Sequence, residues 1–239
     1  MTSDSRSIVL VHGAWHGGWC WRHVAQRLRA ARYDVYTPTM TGLGERAHLL
    51  RTDTGLATCI DDVCAVIDTE ELTDVMLVGH SFAGVVISGV ADRMPGKLRH
   101  LVYLDALIVQ SGHSALSVFP TDVQRERQRT IDAEGLRIAI PDALKFGIND
   151  AQQAVWLQRR LTPHPLKTYT DPLMLTHPLG NGVRKTYVAV TDPWYAPLAS
   201  VRDWVKKEPD WDYRELKAGH DAMVTSPQAL SDLLVELAR

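Results

Sequence analysis

The sequence predicts an α/β fold, one mostly parallel central sheet with helices on both faces, and three observations carry that prediction. Short apolar runs rich in β-branched residues alternate with stretches of helical period, the pattern of strands joined by right-handed helical crossovers. Some of the runs are apolar at every position, as in Ile8-Val-Leu-Val11, so their strands should be buried on both faces, as in a parallel sheet. The alternation stops after residue 107 and resumes near residue 183. The expected organisation is therefore a core of residues 1–107 and 183–239, interrupted by a small helical cap at residues 108–182.

Each element has its own reason. The strand at residues 8–11 stops at His12-Gly-Ala-Trp-His-Gly-Gly18, where three glycines within six residues imply a tight turn able to aim backbone N–H groups inward. Residues 19–31 place Trp21, Val24 and Leu28 on one stripe, with Arg22, Gln26, Arg27 and Arg29 opposite, which is helical spacing. Residues 34–38 read as a second strand ended by Pro38, and Thr41-Gly-Leu-Gly-Glu-Arg46 as a loop at the same end of the sheet. A helix over residues 56–70 carries Ile60, Val63, Cys64 and Ile67 on one face.

Next comes Val75-Met-Leu-Val-Gly-His-Ser-Phe-Ala-Gly84: a strand, a sharp turn with Ser81 at its apex, and a helix to residue 94 stopped by Pro95-Gly96. Residues 101–104 form another strand, ending on Asp105. The interrupting segment holds charge-rich helical stretches at residues 122–133 and 150–161 and a run through Pro163, Pro165, Pro172 and Pro178. Strands resume at residues 185–190, ending in Thr191-Asp192-Pro193. A helix at residues 197–207 and a last strand at residues 213–216 lead to Gly219-His220-Asp221. Ser226-Pro227 opens the final helix, serine as the cap and proline in the first turn, and it runs to Leu237.

Composition removes several functions. The 239 residues are 45% hydrophobic and 23% charged with a formal net charge of -2, so there is no basic field for a polyphosphate, and nucleic acid is not an expected partner. Cys20, Cys59 and Cys64 have neither CxxC nor metal-ligand spacing and read as buried small apolar residues, not as a disulfide framework. The N-terminus lacks the apolar core of a signal peptide, and no apolar run reaches about 18 residues. The expectation is a soluble, cytoplasmic protein with no membrane partner.

A serine hydroxyl becomes a nucleophile when a base takes its proton, and a strand-to-helix turn holds Ser81 where a distant histidine can reach it. Gly79 and Ser81 fit the pattern G-x-S-x-G; its fifth position is Ala83, with Gly84 one residue later. The order along the chain is a glycine-rich loop, a serine elbow, acids at strand ends, and a histidine before the last helix.

With VLVHGAWHGGWCW, VGHSFAG and GHDAMVTSP, this chain resembles the α/β-hydrolase superfamily over nearly its whole length, most weakly at residues 110–160. Within it, the chain is similar to the small-capped group of plant methylesterases, salicylate-binding esterases, hydroxynitrile lyases and bacterial esterases. The resemblance implies a serine hydrolase with a catalytic triad, cleaving a small carboxylic ester or related acyl compound (lactone, carbamate or amide) without metal or cofactor. Ser81 would attack, His220 would move the proton, and the backbone N–H groups of Ala14 and Phe82 would form the oxyanion hole.

The triad acid is open between Asp105 and Asp192. Context favours Asp105: it ends an apolar strand, where an unpartnered carboxylate is costly, whereas a turn aspartate such as Asp192 has an ordinary local explanation. His12 and His16 are expected to tie the glycine loop by hydrogen bonds, Asp62 sits on a helix face, and Asp221 adjoins His220 too closely to face it. Leu116, Val118, Phe119, Trp156 and Leu161 in the cap suggest an apolar or aromatic substrate. Two alternatives stand beside esterase activity: a non-catalytic small-ligand receptor and a hydroxynitrile lyase. The plant lyases carry a threonine and a lysine where this chain has Gly13 and Asp221, and an anion at Asp221 would repel cyanide. Relatives of this size often pair through their caps, so a homodimer is a further expectation.

Overall fold

A computed structural model describes residues 6–239. In chain order its strands and helices are β1 (Ser7–Val11), α1 (Arg22–Ala30), β2 (Asp34–Tyr36), α2 (Leu56–Thr69), β3 (Val75–His80), α3 (Ala83–Arg93) and β4 (Leu98–Leu104). The interrupting segment contributes α4 (Thr121–Arg129), β5 (Arg137–Ile138), α5 (Ala151–Gln158), β6 (His164–Pro165) and α6 (Leu166–Thr170). The chain then returns through β7 (Arg184–Val190), α7 (Ala199–Val205), β8 (Trp211–Leu216), α8 (Ala222–Thr225) and α9 (Pro227–Leu237).

The main sheet has six strands in the order β2-β1-β3-β4-β7-β8, and every neighbouring pair is parallel. β5 and β6 pair antiparallel away from it. Every residue of β1 and β3 is buried, as the apolar runs Ile8–Val11 and Val75–Val78 require when helices cover both faces. The strand order reverses between β1 and β3, whose registers pair Val11 with Gly79. Loops leaving their carboxyl ends diverge there and open a crevice, the usual ligand position of such sheets.

Several boundaries differ from expectation. β4 begins at Leu98, not residue 101, because His100 is a buried strand residue: its ring lies 2.8 Å from Thr186 Oγ1 and 3.3 Å from the Leu237 carbonyl. α4 stops at Arg129, short of residue 133, and α5 at Gln158, short of residue 161. Pro227 occupies the first turn of α9, but Ser226 makes no side-chain capping bond. Among the described residues no helix is long and apolar enough to cross a membrane.

The segment between β4 and β7 is tied over the carboxyl end of the sheet. Thr162 N–H donates to the Trp15 carbonyl at 2.9 Å, and Asp221 N–H to the Phe146 carbonyl at 3.2 Å. Trp15 N–H donates to His164 Nδ1 at 3.2 Å.

Candidate active site

Ser81 follows directly on β3 with φ +53°, a left-handed conformation that a residue with a Cβ adopts only when its surroundings enforce it. Three backbone bonds do so: Ser81 N–H donates to the Leu104 carbonyl at 3.1 Å, and the Ser81 carbonyl accepts from Gly84 at 3.1 Å and Leu107 at 2.8 Å. The small residues follow from close approach. A Cβ on Gly84 would lie 2.2 Å from the Leu107 oxygen, and one on Gly79 2.8 Å from the Ala83 oxygen. The requirement for glycine therefore falls at position 84, and Ala83 is accommodated.

Strand register brings the acid to the serine. His80 is paired with Leu104, and Asp105 N–H donates to the Val188 carbonyl at 2.7 Å. His220 closes the line: its Nε2 is 3.0 Å from Ser81 Oγ and its Nδ1 is 2.7 Å from Asp105 Oδ2. The neutral imidazole that fits donates from Nδ1 and accepts the serine proton at Nε2. Asp192 stays apart, its side chain 60% exposed and 3.8 Å from Lys217 Nζ. Asp62 instead holds the 41–46 loop, accepting from Thr41 N–H at 2.6 Å and from Arg46 at 3.1 Å.

The other oxygen of Asp105 belongs to Arg202, a residue without a role in the sequence reading. Its Nε and Nη2 donate to Asp105 Oδ1 at 3.0 and 2.6 Å, and Nη1 to the Tyr195 carbonyl at 2.8 Å. Arg202 and Asp105 are both fully buried. Arg202 lies in a short amphipathic helix where an arginine ordinarily faces water, so no local signal marks it.

The loop histidines hold the backbone. His12 lies against the Gly13 carbonyl at 2.8 Å and accepts from Met40 N–H at 3.1 Å, and burial lowers its pKa to about 3. His16 faces two acceptors, the Ala14 carbonyl at 2.7 Å and Asp221 Oδ2 at 3.0 Å, so both nitrogens donate and the ring is an imidazolium. Burial opposes that charge, but Asp221 outweighs it and raises His16; conversely, burial pushes Asp221 up while His16 brings it below the usual carboxylate range. Asp221 makes its hydrogen bond to His16 and none to the neighbouring His220 ring. His80 donates to the His220 carbonyl at 2.9 Å and is held well below the ordinary histidine value, by burial first and then by His220.

The N–H groups of Ala14 and Phe82 have no protein acceptor among the described residues, although both residues are buried. Paired donors left free in the interior are unusual outside sites that receive an anion or oxyanion. His80, His220 and Asp221 also offer ligand atoms within 4.8 Å of one another. Both His220 nitrogens and His80 Nε2 are already engaged in the bonds above, whereas His80 Nδ1 and Asp221 Oδ1 have no hydrogen-bond partner among the described residues.

A cavity of about 550 Å³ lies beside the triad, with Trp15, Arg127, Ile138, Phe146 and Tyr195 in its walls. The Tyr195 ring stacks on His220 with centroids 3.8 Å apart, and Phe146 at 6.2 Å. None of the five cap residues expected to face a substrate lines this cavity. Phe119 and Leu161 are buried, Leu116 and Val118 pack against the core, and Trp156 packs edge-on against Trp19. The aromatic lining anticipated from the cap comes largely from loops of the core.

Comparisons with known proteins agree with this fold. The profile of the alpha/beta hydrolase family matches residues 8–233. A carbendazim-hydrolyzing esterase of Nocardioides sp. (strain SG-4G) is 40% identical over 242 residues, 97% of this chain and 99% of the relative. Methylesterase 3 of Arabidopsis thaliana is 26% identical, covering 100% of this chain and 98% of its own length. Among solved structures, an extracellular alpha/beta-hydrolase from a Paenibacillus species has a TM-score of 0.84 at 24% identity, with 97% and 98% of the two chains covered.

Proposed function

Because the chain belongs to the alpha/beta hydrolase family, we propose that it is a serine esterase cleaving a small ester or carbamate with a flat aromatic group, using Ser81, His220 and Asp105. The observation that carries this reading is the unbroken line of hydrogen bonds from Asp105 through His220 to Ser81.

In the proposed reaction, Ser81 Oγ attacks the acyl carbon while His220 Nε2 takes its proton, and Asp105 keeps the Nδ1 proton in place and steadies the imidazolium. Negative charge forming on the carbonyl oxygen is met by the N–H groups of Ala14 and Phe82; losing one such donor raises a barrier by about 3 kcal/mol. Collapse breaks the bond to the leaving alcohol, which receives the proton from His220, and leaves the acyl group on Ser81. Water, deprotonated by His220, then attacks that carbon, the acid departs, and Ser81 recovers its proton.

The substrate class is supported by the aromatic residues in the cavity walls and by the relative named for hydrolysing carbendazim. The lyase alternative loses one argument and gains another. The Asp221 carboxylate is buried and paired with His16, which offsets its charge, but no lysine stands there to hold cyanide. A Cβ at position 13 would lie 2.8 Å from His80 Nδ1, which leaves no room for the lyases' threonine. The cytoplasm is the proposed location, supported by three free cysteines. Pairing of two copies through residues 108–182 is proposed on the exposed Leu144, Val155 and Met174.

An organophosphonate serine probe followed by peptide mass mapping tests the mechanism. Ser81 should carry the adduct, and Ser81→Ala should lower hydrolysis of p-nitrophenyl acetate and of carbendazim on the order of 10⁶-fold. A folded protein that takes no label at Ser81 refutes it.

A further inference from the structure

Arg127 is a charged group in the cavity wall that the proposed reaction leaves unused. It lies on α4, a stretch whose charge-rich sequence reads as a solvated face. Its guanidinium carbon nevertheless stands over three rings, 4.1 Å from the centre of Phe119, 4.8 Å from Tyr169 and 5.1 Å from Trp15. Nη1 is buried without a hydrogen-bond partner. Among the described residues no carboxylate pairs with the guanidinium, because the neighbouring Glu126 is taken by Lys145 at 2.5 Å. Burial pushes the Tyr169 phenol up, and the adjacent guanidinium draws it back through its charge and a side-chain hydrogen bond, which leaves Nη1 as the unpartnered nitrogen.

This cage rests on the reaction centre. Tyr169 stacks on Phe82 with centroids 5.1 Å apart, and Trp15 follows Ala14 in the chain, so two of the three rings stand next to the proposed oxyanion donors. Aromatic faces offset part of the cost of a desolvated cation, but they accept no hydrogen bond in the plane of the guanidinium fork. Glu126, Thr130 and Lys145 also line the cavity, but the Arg127 N–H is buried and unpaired, so it favours an occupant that brings an acceptor to it and disfavours an isostere lacking that acceptor.

We propose that Arg127 is a specificity-determining residue, and that the substrate is a flat aromatic ester or carbamate carrying a hydrogen-bond acceptor, a carbonyl oxygen or ring nitrogen, on the portion that enters the cavity. The reaction class rests on the esterase reading above; the acceptor requirement rests on the cage.

The test reads binding without turnover. Methyl 4-acetylbenzoate and methyl 4-isopropylbenzoate match in shape and differ in the acceptor, and each is titrated calorimetrically into Ser81→Ala and into Ser81→Ala with Arg127→Met. The acetyl ester should bind Ser81→Ala roughly 10- to 100-fold more tightly, and Arg127→Met should abolish that preference while moving the isopropyl ester's affinity by less than about threefold. Should Arg127→Met fail to fold, Arg127→Lys reads the same ratio, which should fall because the planar fork is lost. Equal affinities for the two esters, no binding of either, or a preference that survives loss of the guanidinium overturns the proposal. Equal loss of both affinities also overturns it, by assigning Arg127 to holding the cage. Failure of the esterase reading would show separately, as an unlabelled Ser81 in the phosphonate experiment, and leaves this ratio unchanged.

Discussion

Asp105 and Asp221 are both fully buried, both hydrogen-bonded to a histidine and both in contact with the loop that carries His220, yet their remaining neighbours give them different work. Asp105 spends one oxygen on His220 and the other on two bonds from Arg202. The guanidinium fork holds the carboxylate in place and sets a positive charge against it while His220 gains and loses a proton in the proposed cycle. Among the described residues no arginine pairs with Asp221. Its Oδ2 holds His16 as a cation, and its Oδ1 lacks a hydrogen bond, with His80 Nε2 3.8 Å away. Through its other nitrogen His16 grips the Ala14 carbonyl, so this pair pins the first loop to the chain just after His220. A buried charge costs several kcal/mol unless it is well partnered. The identity of the partner separates a carboxylate that assists a moving proton from one that holds two loops together.

The largest break in that comparison is Asp105→Asn. It should leave the fold intact, present the wrong imidazole tautomer, and lower kcat roughly 10³- to 10⁴-fold, about 4 to 5.5 kcal/mol of barrier. Steady-state kinetics beside a circular dichroism melt checks both halves, and an unchanged kcat would remove Asp105 from the mechanism.

Asp221→Asn should act on stability first. Breaking a buried pair from one side costs about 3 to 5 kcal/mol, and urea unfolding near pH 6 should show it. The pH dependence sharpens the distinction. Asp221 is depressed, so its contribution is present above the unfolded value of 3.8 and is lost as pH falls through the folded value. His16 is raised, so its contribution is full below the unfolded value of 6.5 and fades as pH rises through the folded value. The gap between wild type and Asp221→Asn should therefore be widest between those two limits and narrow on either side. A gap that keeps growing above pH 7 contradicts the imidazolium assignment.

The smallest effect belongs to Asp192→Asn. An exposed turn carboxylate loses at most a local interaction worth about 1 kcal/mol, and kcat should stay at the wild-type value. If Asp192→Asn proved more damaging than Asp105→Asn, the proposed acid would move to the turn after β7. Comparable moderate losses would make the two carboxylates one coupled unit.

What the sequence determined by itself is what local physics encodes. Uninterrupted apolar runs such as Ile8–Val11 can lie only in a sheet covered on both faces, and small residues around Ser81 announce a turn too tight for bulk. The order of serine, acid and histidine followed from elements that each carry their own period and stop signals. The tertiary structure decided what depends on chain segments meeting at a distance. Asp105 meets His220 because the β3–β4 register sets it beside Ser81, whereas Asp192 ends its strand facing water. Arg202 reaches Asp105 across 97 positions and His16 reaches Asp221 across 205. Arg127, charged and helical in sequence, became a caged cation only where α4 met the rings of Trp15, Phe119 and Tyr169. Periodicity records which face of an element is buried; what it is buried against is a property of the packed chain.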